Sequence, residues 1–127
     1  MDEPTSRPVL VAEDDHEIRE ALEALLGEVG YRVLTAADGK QALELLRKHA
    51  GSADFPSVLL LDLMMPVMNG WEVLIELKKD PALAKLPVVI VSAFSEQAPV
   101  GNGVRAVLRK PVQVDTLLNT IEAAVTS

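Results

Sequence analysis

Residues 58–74 read VLLLDLMMPVMNGWEVL. Four apolar residues, Val58 to Leu61, run directly into an acid, Asp62, and an apolar run that short fits a buried strand rather than a helix. Further on, Val73, Leu74 and Leu77 fall at helical spacing, and Lys78 and Lys79 follow where a helix C-terminus favours cations. Asn69-Gly70 would signal a hairpin between two strands, but the helical pattern behind it excludes that reading. The stretch is therefore a strand, an acid at its carboxyl end, a loop and a helix.

The same unit recurs on both sides of it. Strands are expected at Val9–Ala12, Tyr31–Thr35, Val58–Leu61, Val88–Val91 and Val104–Leu108, the third and fourth so apolar that they belong at the centre of a sheet. Between the first two, Ile18, Ala21, Leu22, Leu25, Leu26 and Val29 form one apolar helical stripe, which Asp15 can cap at its start and Gly30 at its end. Ala42, Leu45 and Leu46 mark a helix after Asp38, and Val114, Leu117, Leu118, Ile121 and Val125 mark the last. This alternation predicts an α/β fold, a doubly wound five-stranded parallel sheet with helices on both faces. The fourth crossover is the exception: residues 95–103 read SEQAPVGNG, whose proline and glycines leave room for only a shortened fourth helix.

The 127 residues suit one domain over 1–127, with an ordered core expected at about 7–125. There is no cysteine, so the fold rests on its apolar core without disulfides or thiolate metal sites. No apolar run approaches the roughly 20 residues of a membrane span. Met1 to Pro8 are polar and no signal-type segment follows them, so a cytoplasmic location without membrane contact is expected. A net charge of -7 argues against nucleic acid as a partner, because phosphate backbones are bound through basic patches.

In an open parallel sheet, ligands bind at the carboxyl ends of the strands. Strand one runs into Glu13, Asp14 and Asp15, strand three into Asp62, strand four into Ser92 and strand five into Lys110, followed by Pro111. Carboxylates about 4 Å apart repel by about 4 kcal/mol at an effective dielectric near 20, so a convergent set needs a cation. Mg²⁺ takes such hard oxygen ligands together with waters and phosphate, while Lys110 and Ser92 suit phosphoryl oxygens. A carboxylate nucleophile, a metal and an ammonium are the parts of phosphoryl transfer.

The blocks VLVAEDDHEIRE, VLLLDLMMPVMNGWEVL, PVVIVSAFS and VLRKPV together resemble the four signature blocks of CheY-like receiver domains of two-component response regulators, in the family's order. The resemblance implies a flavodoxin-like strand order, 2-1-3-4-5. It also implies that Asp62 is the phosphoacceptor, with Asp14, Asp62 and the backbone carbonyl of Met64 as metal ligands and Glu13 acting through a water. Arg19, six residues after Glu13, matches the family's arginine at that spacing. Ser92 would grip the phosphoryl group and Lys110 pair with it, Pro66 and Gly70 would shape the loop after Asp62, and the Lys110–Pro111 bond would be cis. The implied cofactor is Mg²⁺, or Mn²⁺ in its place, and the implied phosphoryl donor is a histidine kinase or a histidine phosphotransfer protein. The output partner is left open. The implied chemistry is not that of an enzyme with a separate substrate: the domain catalyses only its own phosphorylation and dephosphorylation.

Other residues carry plainer readings. Asp15 reads as a cap rather than a ligand, His16 and His49 as surface residues on different helices, Met64, Met65 and Met68 as loop packing, and Trp71 as packing at the start of the third helix. The chain departs from the family in the stretch from Ser92 to Lys110, several residues shorter than the usual spacing, and at one switch position. Val107 stands where members carry a Tyr or Phe that swings inward on phosphorylation, so a variant output is expected. Met64 and Phe94 place apolar groups where attack by water on the acyl phosphate is tuned, which should slow hydrolysis. The rival reading is a degenerate receiver acting as a phosphorylation-independent protein-interaction module. A phosphatase of haloacid-dehalogenase type would need a second Asp where Met64 stands, and a nucleotide-binding protein would need a Gly-rich loop where EDDHEI stands.

Overall fold

A computed structural model describes residues 7–93, 101 and 103–126. Five strands, β1 (Val9–Ala12), β2 (Val33–Ala36), β3 (Val58–Leu61), β4 (Val88–Ser92) and β5 (Val104–Arg109), form one parallel sheet in the order β2-β1-β3-β4-β5. Helices α1 (His16–Glu28), α2 (Gly39–His49), α3 (Gly70–Lys79) and α4 (Val114–Thr126) complete the described elements. Residues 94–100 and 102, which hold Phe94 and most of the expected shortened crossover, lie outside the described residues.

Each inner strand is apolar along its length because both of its faces are covered. Alternate residues divide between two layers: Leu10, Leu59, Leu61 and Ile90 pack with Ala42, Leu43 and Leu46 of α2 and Val73 and Leu77 of α3. Val9, Val11, Val58, Leu60, Val89 and Val91 pack on the other side with Leu26 of α1 and Leu117 and Ile121 of α4. The expected central place of β3 and β4 holds, and β1 is equally interior.

One expected boundary needs correction. The second strand begins at Val33 rather than Tyr31, because the Tyr31 N–H donates to Leu26 O (3.0 Å) and the Gly30 N–H to Gly27 O (3.1 Å). That is a Schellman closure of α1 with Gly30 at φ +102°, and it uses the amide the longer strand would have offered to the sheet. The α1 stripe is only partly covered: Leu26 alone is buried, while Ile18 is 36% and Val29 50% exposed. Helical spacing identifies an apolar face but not how much of it a neighbour reaches. Asp15 caps α1 as expected, its Oδ1 accepting from the N–H groups of Glu17 and Ile18, and at α2 Asp38 Oδ1 accepts from the N–H of Gln41. At α3, Asn69 and Glu72 form a reciprocal capping box, which disposes of the hairpin alternative.

Candidate functional site

Register brings the rim together. Ala12 pairs with Leu61, so Glu13 and Asp62 leave adjacent strands at the same level, and the Asp62 N–H donates to Ala12 O (3.1 Å). Ser92 pairs with Arg109 on β5, and the next residue, Lys110, donates its backbone N–H to Ser92 O (3.1 Å). The Lys110–Pro111 bond is cis, as the resemblance implied.

The side chains meet at this edge. Lys110 Nζ donates to Glu13 Oε1 at 2.7 Å and to Asp62 Oδ2 at 3.0 Å. The second oxygens are also engaged, Glu13 Oε2 accepting from the Asp15 N–H (3.1 Å) and Asp62 Oδ1 from the Met64 N–H (3.2 Å). Glu13 and Asp62 are buried, whereas Asp14 is exposed at the mouth. One oxygen from each of Glu13, Asp14 and Asp62 lies within 4.8 Å of the other two. Ser92 is fully buried at the end of β4.

Charge is balanced tightly there. Burial raises the Glu13 carboxyl above its ordinary value, against the opposing hydrogen bonds from Lys110 and the Asp15 amide, and the nearby Asp62 charge adds to the rise. For Lys110, burial works to lower the ammonium, but hydrogen bonds to Glu13 and Asp62 and their charges outweigh it and hold it above 10.5. An ammonium between two buried carboxylates is the arrangement that keeps such charges tolerable.

The loop after Asp62 is fixed by close backbone packing. A Cβ on Gly70 would meet Asp62 O at 2.6 Å and Leu63 Cα at 2.8 Å, so only glycine lets α3 begin this near the acid. Between them Val67 has φ +68°, and the Met68 N–H donates to Pro66 O (2.7 Å). A β-branched residue in that region marks a strained turn.

The donor set fits a hard divalent cation. Carboxylate oxygens are the ligand type of Mg²⁺, and one from each of Glu13, Asp14 and Asp62 lies within 4.8 Å of the others. All six residues expected at the site from sequence reach this rim, with Met64 contributing its amide to Asp62. Met64 itself is 50% exposed rather than packed in the loop, unlike buried Met65 and the partly buried Met68. Sequence reasoning missed the direct Lys110 bridge to both acids, although a lone lysine at a rim of carboxylates was the available signal. It also missed the contacts of Arg19, whose Nη1 donates to Glu13 O (2.8 Å) and Asp14 O (3.3 Å).

An open parallel sheet with buried acids, a buried hydroxyl residue and a lysine at its carboxyl rim defines a doubly wound α/β protein equipped for a cation and an anionic group. Residues 9–122 match the response regulator receiver domain, and the chain belongs to that family. It is 33% identical over 119 residues to the protein PilH of Pseudomonas aeruginosa, covering 91% of this chain and 94% of PilH. With the probable transcriptional regulator ycf27 of Guillardia theta it shares 36% identity over 98 residues, covering 77% of this chain and 35% of that protein, so it spans about a third of that regulator's length. Among solved structures, the chemotaxis protein CheY4 of Vibrio cholerae superposes with a TM-score of 0.78 at 29% identity, covering 93% of this chain and 98% of that one. The response regulator TrrA of Thermotoga maritima, solved in complex with Mg²⁺ and BeF, gives 0.78 at 26% identity with the same coverage.

Proposed function

We propose that this receiver domain accepts a phosphoryl group on Asp62 in a Mg²⁺-dependent reaction, with a histidine kinase or histidine phosphotransfer protein as donor. The observation that carries the reading is the convergence of Glu13, Asp14 and Asp62 around the Lys110 ammonium. An Asp62 oxygen attacks phosphorus, the P–N bond of the donor phosphohistidine breaks, and the imidazole nitrogen leaves with the electron pair. Mg²⁺, held by Asp14, Asp62 and the Met64 carbonyl with Glu13 acting through water, or Mn²⁺ in its place, would neutralise charge on the transferring oxygens. The Met64 amide and Lys110 orient the Asp62 carboxylate, Lys110 supplies a positive charge beside the new phosphoryl oxygens, and the Ser92 hydroxyl is the expected donor to one of them.

This chemistry makes the domain the catalyst only of its own phosphorylation and dephosphorylation. A cytoplasmic setting accords with such donors, and no helix among the described residues is long and apolar enough to cross a membrane. Val107 is 37% exposed on β5 and has no ring to turn inward, so output runs by a variant route. Met64, apolar and at the mouth beside Asp62, should lengthen the life of the acyl phosphate, and Met64→Asn should shorten it.

Incubating the folded protein with Mg²⁺ and acetyl phosphate should add one phosphoryl group by intact mass, and Asp62→Asn should take none. An unlabelled wild type with beryllofluoride also without effect would favour the other reading, a phosphorylation-independent interaction module.

A further inference from the structure

We infer that Arg19 is a positioning residue that sets the direction in which the Asp14 side chain leaves the backbone, and so the affinity of the acidic rim for Mg²⁺; this rests on the metal site proposed above. β1 ends at Ala12 and α1 begins at His16, so the carbonyls of Glu13 and Asp14 belong to neither the sheet ladder nor the helix. One guanidinium nitrogen of Arg19 takes both, at 2.8 Å and 3.3 Å.

The two carbonyls are not equivalent in what they fix. Glu13 O lies in the peptide plane before the Asp14 Cα, and Asp14 O lies in the plane after it. Because each peptide is planar, holding both planes holds the two soft dihedrals of Asp14 and therefore its Cα–Cβ direction. Asp14 needs such help. Glu13 and Asp62 are buried and hydrogen-bonded through their side chains, while Asp14 is exposed.

Arg19 is itself held at both ends. Its backbone N–H donates to Asp15 O (2.9 Å), and its Nη2 lies 3.2 Å from His16 Nδ1. It is less exposed than its neighbours Ile18 and Glu20, although it carries the longer charged side chain. The strap spans six residues and closes over the turn that presents the acids.

Two other roles predict different results. Were Arg19 only a brace for the start of α1, its loss would lower the melting temperature and leave Mg²⁺ affinity alone. Were it only a positive charge near the acids, its loss would tighten Mg²⁺ binding. A ligand-orienting role predicts weaker binding, since partners that orient metal ligands are worth about 10-fold or more in affinity.

The test is a Mg²⁺ titration of the intact protein, read by calorimetry with the metal alone and by the rate of labelling with acetyl phosphate. For Arg19→Gln, half-saturation should rise about tenfold, with the labelling rate at saturating Mg²⁺ within about twofold of wild type. Arg19→Lys, which keeps the charge and one donor, should fall between the two, and it carries the test alone if Arg19→Gln does not fold. Unchanged or tighter Mg²⁺ binding in the folded variants, beside a saturable wild type, would overturn the inference and leave the proposed function standing. A wild type with no saturable Mg²⁺ response would overturn both.

Discussion

Among the described residues, α2 and α3 bury several apolar side chains against the sheet, whereas α1 on the opposite face buries one. Helix α2 buries Ala42, Leu43 and Leu46 in one layer with Leu10, Leu59 and Leu61, and Val73 and Leu77 of α3 lie in the same layer. Helix α1 buries only Leu26, and its Ile18, Ala21, Leu22 and Leu25 border an open cavity of about 450 Å³ shared with Val91, Pro111 and Leu117. Lys110 lines that cavity and also bridges Glu13 and Asp62. Burial is therefore denser in α2 and α3 than in α1, while the lysine that pairs with the acids borders the cavity beside α1.

This asymmetry should appear as unequal sensitivity to truncation. Leu46→Ala empties a fully buried site and should cost about 2–5 kcal/mol in denaturant unfolding. Lys110→Met comes next, because it leaves two buried carboxylates without their ammonium, and about 3 kcal/mol is the expected loss in a chelator-treated sample. Ile18→Ala, beside the cavity, should stay within about 0.5 kcal/mol. Equal losses for Leu46→Ala and Ile18→Ala would erase the contrast.

The lysine sharpens the comparison through pH. Its folded-state value is raised above 10.5, so its stabilisation is fully present below that pH and is lost as pH rises through the higher folded value. Melting curves of wild type and Lys110→Met should therefore keep a constant separation from pH 7 to 9 and converge only above 10.5. Convergence near neutrality would mean that the ammonium does not hold the two acids.

The inner strands were legible from sequence, since Val58–Leu61 and Val88–Val91 leave no polar face. The acids were legible for a related reason: charged residues directly after buried strands fall at one rim once the strands are parallel and in register. What escaped was anything depending on how far one element reaches another. The α1 stripe marked an apolar face, but how much of it a neighbour covers, as at Ile18, 36% exposed, is not encoded in periodicity. The true start of β2 depended on which carbonyl the Tyr31 amide chooses, and Gly30 was seen as a cap without that consequence. Arg19 was noticed by its spacing, but its hold on two carbonyls needs the turn in three dimensions.

The most direct measurement is to locate the acyl phosphate. Protein treated with Mg²⁺ and acetyl phosphate, reduced with borohydride and digested, should show homoserine in place of aspartate at position 62 alone by peptide mass spectrometry. Label at Asp14 or another acid, or none on a folded wild type, would contradict the account.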